Sequence, residues 1–158
     1  MFDKTKTTNM HDILLSLHSI LRYVLLILIL VTIIDSLVRM YKPEDDADKK
    51  LALFSLIIMH TQILIGLGLY FISPLIKTLM QAGKVMSESF PRFWVVEHMV
   101  GMIVAAILIT IGYSRSKKQD SNWAKHRFIL VYYSIALIII LLMIPWPFRE
   151  VGAGRGWY

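Results

Sequence analysis

The chain has 158 residues, 56% hydrophobic and 18% charged, with a mean hydropathy of +0.61 and a formal net charge of +6. That balance excludes both a disordered chain and an ordinary water-soluble domain. The absence of cysteine excludes disulfides, thiolate nucleophiles, cysteine-held iron–sulfur clusters and haem attached through a paired-cysteine motif.

The apolar residues come in four blocks, each long enough for the roughly 20 residues that a membrane-crossing helix needs. The first, 13–40, contains "LLSLHSILRYVLLILILVTIIDSLVRM" and is longer than a minimal span, so it tilts or begins in the headgroup layer. It carries Arg22 and Asp35 and has no small-residue cleavage pattern after it, so it reads as a span and not as a signal peptide. The second, 51–73, is ended by Pro74. The third, 92–114, opens after Pro91, a position where the missing amide hydrogen costs nothing. The fourth, 124–144, stops at "PWPF", and 145–158 forms an interfacial aromatic tail.

None of the blocks alternates apolar and polar residues as barrel strands do. Short polar connections place consecutive helices side by side. The expected fold is therefore all-α: an antiparallel four-helix transmembrane bundle forming one integral membrane domain.

An even number of spans puts both termini on one side. The compact basic loop with Arg115, Lys117, Lys118, Lys125 and Arg127 is the better cytoplasmic candidate, which sends both termini to the periplasm or exterior. Net charge of this size raises nucleic acid as a partner. Here the cations divide between two membrane faces, so anionic lipid accounts for them and no nucleic acid is expected.

Five histidines set the chemical problem. His11 and His126 read as interfacial. His18, His60 and His98 fall inside spans, where a polar group faces the bundle and needs a partner. At 1.5 Å per residue, His18 lies about 12 Å and His98 about 7 Å from the middle of their helices, toward the same side. His60 lies about 4 Å from its own middle, toward the other side.

His18 and His98 are thus the best matched pair. Two imidazoles from facing helices can take both axial positions of a haem iron. Gly101 and Ala105 leave His98 a face with little side-chain bulk. Arg92, Arg149 or Arg155 can neutralise propionates from the terminal side, and Arg22 can meet a propionate or compensate Glu97. The competing reading is a structural polar network of His18, Arg22, Glu97 and His98 joining the first and third helices. His60 reads as a core histidine, a quinone-binding group helped by Thr61 or Gln62, or an alternative haem ligand.

Asp35 pairs locally with Arg39, four residues on. The run "PEDDADKK" at 43–50 reads as a solvated turn and not a cation site. In the tail, Trp146, Phe148, Trp157 and Tyr158 suit an interface belt, while a cap over a haem edge is the alternative. No nucleophile constellation and no "HExxH" motif is present.

The four-span plan, with "LHSILRY", "FWVVEH", "IPWPF" and "GRGWY", resembles the small cytochrome b-like membrane proteins of Bacteroidota along nearly the whole chain. The resemblance implies a bacterial inner-membrane electron-transfer subunit with a bis-histidine haem b at His18 and His98. Such a subunit works beside other membrane subunits or a redox partner that holds any substrate site. The chain departs from two-haem bundle cytochromes, because its histidines do not form two pairs at two depths. A haem-free accessory subunit of a larger membrane complex is the reading from a different class.

Overall fold

A computed structural model describes residues 4–41 and 50–154, and these form helices without strands. In chain order they are α1 (Lys4–Arg39), α2 (Lys50–Ile72), α3 (Pro74–Gln81), α4 (Ser89–Arg92), a π-helical turn (Phe93–Glu97), α5 (His98–Lys117), α6 (Asn122–Met143) and a 3-10 turn (Glu150–Gly152). From α4 to α5 the helix runs on without a break, so four rods are long and apolar enough to cross a membrane. The fold is the expected all-α four-helix bundle.

Several boundaries differ from the sequence reading, among them the end of the third rod at Lys117 and the start of α6 at Asn122. α1 begins at Lys4 and not at residue 13, because helical hydrogen bonding continues outward through a polar stretch that carries no apolar signal. The third rod begins at Ser89, so Pro91 sits within its first turn, where no donor is required. The connection after Pro74 is itself partly helical: Pro74 opens α3, which buries Ile76.

The buried positions recur with alternating steps of three and four. On α2 they are Ala52, Ser55, Met59, Gln62 and Leu69; on α5, Ala105, Ile109, Gly112 and Ser116, with Ala106 buried beside the first. On α6 they are His126, Ile129, Tyr133, Ala136 and Ile140, and on α1, Leu25, Ile29, Thr32 and Ser36, with Ser19 buried nearer the start. This is the spacing of knobs-into-holes packing between nearly antiparallel helices. α1 and α5 each pack on both α2 and α6, which puts α1 and α5 at opposite corners of the bundle.

Lipid tails are as apolar as the core, so close packing and polar contacts hold the rods together. A Cβ on Gly112 would lie 2.6 Å from Cβ of Tyr132, which shows how closely α5 and α6 approach. Thr32 and Ser55 share a hydroxyl hydrogen bond of 2.9 Å between α1 and α2. The Tyr133 hydroxyl donates to the Ala52 carbonyl at 2.8 Å, crossing from α6 to the opposite corner.

Two histidines face otherwise than the sequence suggests. His126 is 1% exposed, turned into the bundle and away from solvent, because it occupies the buried seam of α6 three residues before Ile129. His60 is exposed on the outer surface of α2 and does not point across the bundle. It follows the core residue Met59 directly, and adjacent helical residues point about 100° apart.

Candidate functional site

The last four carbonyls of a helix have no donor within it. At the end of α6 the sequence Ile144-Pro145-Trp146-Pro147 makes the deficit permanent. Pro145 pushes the preceding residue out of helical conformation, and Ile144 has ψ 128°. Neither Pro145 nor Pro147 has an amide hydrogen to give.

Side chains take over that role. The Trp146 indole donates to Leu141 O at 2.9 Å, and the Arg149 guanidinium donates to Leu142 O and Ile144 O. The fourth donor comes from another rod: Nδ1 of His98 donates to Met143 O at 2.7 Å. A carbonyl only accepts, so this bond fixes the proton of a neutral His98 ring on Nδ1 and leaves Nε2 with the lone pair.

The helical turn before His98 is widened. The His98 amide bonds to Phe93 O, five residues back, as in the π-bulges that occur at functional sites. In an α-helix, residues five apart point about 140° away from each other. The wider turn lets Arg92 Nε donate to Glu97 Oε1 at 2.7 Å. Glu97 is therefore compensated by Arg92 and not by Arg22, whose guanidinium lies over the Tyr23 ring, 4.7 Å from its centre.

The turn is tied to its neighbours as well. Tyr70 of α2 donates to Val95 O at 3.1 Å, and Trp94 Nε1 donates to Val151 O at 3.0 Å. Arg149 lies over the buried Phe93 ring at 5.3 Å. The segment after α6 thus folds back onto the turn that carries His98. Its close fit rests on Gly152, where a Cβ would fall 2.2 Å from Trp146 O and 2.5 Å from Pro145 O.

His18 reaches the same place from the opposite corner. Its ring centre is 6.4 Å from that of His98, with the planes 65° apart, and Phe93 and Trp94 stand 6.0 and 6.2 Å from His98. Both imidazoles are half-buried. Gln62 of α2 donates to the His18 carbonyl at 2.7 Å and fixes α1 at this level. Gly66, one helical turn further on, leaves the His18 ring space: a Cβ there would lie 3.2 Å from Cε1. The His18 Nδ1 is buried with no hydrogen-bond partner.

The structure therefore brings His18 and His98 together, with Arg92, Arg149 and Glu97 in the same region. Arg149 is committed to α6 carbonyls and Arg92 to Glu97. His60 stands apart, its Nδ1 donating to Leu56 O of its own helix at 2.9 Å; Gln62 is turned inward and does not assist it. The slot expected beside Gly101 is filled, since a Cβ there would meet Met143 Cγ at 2.5 Å. Asp35 and Arg39 form the expected pair at 2.8 Å. Arg155, Trp157, Tyr158 and the acidic run 43–49 lie outside the described residues.

The π-helical turn, Gly66 and the Met143 carbonyl escaped the sequence reading. Two signals for them were present: prolines four residues after both Leu141 and Met143, and an Arg and Glu five apart at 92 and 97.

A haem held between two histidines can be tested against this geometry. Metal–nitrogen bonds of about 2 Å, with about 1 Å from each nitrogen to its ring centre, place two axial imidazoles about 6 Å apart between centres. The observed 6.4 Å fits, as does the fixed tautomer of His98. Among the described residues no group of three or more His, Cys, Asp or Glu side chains could hold a metal ion. No family model, curated protein or solved structure matches the chain.

Proposed function

We propose that this protein is a b-type cytochrome-like electron-transfer subunit in which His18 and His98 would hold one haem b. The observation that carries the reading is the 6.4 Å separation of two imidazoles from opposite corners of the bundle. The haem supplies one-electron exchange at its iron, while the protein sets orientation and surroundings.

The chain's own residues divide the work. His98 presents Nε2, because Met143 O holds its other nitrogen and fixes the ring plane. His18 is held at matching depth by Gln62 and given ring space by Gly66. The Arg92 guanidinium spends one of five donors on Glu97, so the others remain for a propionate. Phe93, Trp94 and the segment around Gly152 shield this end of the bundle and lower the local dielectric, a lever on redox potential.

The same reading places the chain in a bacterial inner membrane. The basic turn between α5 and α6 is cytoplasmic, and both termini and the histidine pair lie toward the periplasm. Any substrate chemistry belongs to a partner subunit.

The test is a reduced-minus-oxidised visible spectrum of protein purified gently from haem-sufficient membranes, with pyridine haemochrome quantification. A low-spin b-type spectrum at about one haem per chain is expected. A folded preparation without haem absorption overturns the proposal and leaves the histidines as packing groups of an accessory subunit.

A further inference from the structure

His60 presents a different problem, because it faces outward in the middle of the apolar rod Lys50–Ile72. Its Nδ1 donates to Leu56 O, so the neutral ring offers a lone pair at Nε2. Beside it, the exposed Thr61 gives its hydroxyl hydrogen to Ile57 O at 3.0 Å and keeps only acceptor capacity. Two neighbouring side chains thus present acceptors, and no free donor, toward hydrocarbon that can satisfy neither.

The chemistry of this patch limits what can cover it. A second copy of the chain docked with its His60 on the two-fold axis would set acceptors against acceptors. Close approach of another helix needs small residues, whereas the surrounding outer face carries Phe54, Ile57 and Leu64, with Leu64 70% exposed. The glycines of α2 are turned inward, Gly66 against His18 and Gly68 against Leu14. What fits is a small, flat, lipid-soluble molecule that brings its own hydroxyl donors.

We propose that His60 and Thr61 form the polar floor of a membrane-facing binding site for a hydroquinone, with one phenolic O–H donating to Nε2 of His60. The bulky apolar side chains on either side flank the ring. Gln62, two residues on and so about 200° around the helix, touches His18 on the inner face. A hydroquinone at His60 therefore lies across one helix, about 10 Å, from the histidine pair. The site goes beyond the haem assignment and does not depend on it.

The test uses the full-length chain in lipid nanodiscs, with ring-15N-labelled histidine, kept anaerobic and reduced. The probe is a methyl-substituted 1,4-hydroquinone with a ten-carbon tail; its dimethyl ether, which lacks both O–H donors, is the control. The expected result is a saturable shift of the His60 Nε2 resonance, about tenfold weaker binding of the ether, and loss of the shifted signal and of the probe's saturable binding in His60→Phe at unchanged helix content. The proposal is overturned by no saturable shift, by equal binding of hydroquinone and ether, or by a probe-independent shift that follows the protein-to-lipid ratio and so assigns the face to a second copy. The titration needs no haem and the visible spectrum needs no hydroquinone, so failure of one reading is distinct from failure of the other.

Discussion

His98 of α5 and Met143 of α6 are joined by a 2.7 Å hydrogen bond from imidazole to carbonyl, and the carbonyl is free to accept it because α6 ends there. Pro145 and Pro147 stop the helix and have no amide hydrogen to replace the donors they displace. Replacing both in Pro145→Ala/Pro147→Ala restores two backbone donors, so α6 should lengthen by about one turn. Hydrogen exchange at the new amides should show protection, and the 15N resonances of the His98 ring should shift as Nδ1 loses its acceptor. Unchanged ring resonances would mean that the helix end does not set the His98 tautomer.

Haem content should depend on two histidines and not on a third. On the proposed ligation, His18→Ala and His98→Ala should each drop the pyridine haemochrome yield from about one per chain to near zero, or leave a high-spin spectrum. His60→Ala should keep full haem and an unshifted spectrum, since His60 faces away from the pair. His98→Ala also strands the Met143 carbonyl, a cost of about 1–3 kcal/mol, so helix content must be measured alongside.

Gly152→Ala should release the segment after α6. The added carbon would strike two backbone carbonyls, which cannot move aside as a flexible side chain does, and overpacking of this kind costs about 1–3 kcal/mol. Limited proteolysis should then cut after residue 145 faster than in the parent protein. Gly154→Ala is a contrasting change: nothing lies within 4 Å, but φ is +76°, so the cost is backbone strain of about 1 kcal/mol.

Deleting Val96 should turn the π-helical turn into ordinary α-helix. The wide turn holds one extra residue, so its removal leaves Arg92 and Glu97 four apart on one α-helical face, where their ion pair should persist, while the bond from the His98 amide to Phe93 O gives way to ordinary four-residue spacing. The ion pair alone is about 40% exposed on each side, and solvent screening leaves it under about 1 kcal/mol. Arg92→Gln should therefore lower stability by under about 1 kcal/mol, as read by unfolding in mild detergent.

Tyr133→Phe removes the hydroxyl that crosses the bundle to the Ala52 carbonyl. Interhelical hydrogen bonds in membranes are worth about 0.6 kcal/mol and rarely reach 2, so a loss of that size is expected, without change in haem content, because Tyr133 lies on the half of the bundle away from His18. A large fall in haem yield would show that the two ends are coupled.

The sequence by itself determined the class of this protein. Four apolar blocks of spanning length leave the backbone no choice but helix, since hydrocarbon satisfies no amide or carbonyl. Depth along each rod was readable too, because rise per residue is fixed, and it paired His18 with His98. The facing of each rod was not readable. In a soluble bundle the apolar stripe marks the core, but here lipid and core are both apolar and the stripe carries no contrast. His60 was misplaced, and the inward facing of His126 missed, for that reason. Only packing decided the rotation, through small residues at the seam, and only tertiary contact set Met143 O against His98, Gly66 against His18 and the tail against the π-helical turn. These partners are distant in sequence, and their contacts depend on how the rods turn toward one another.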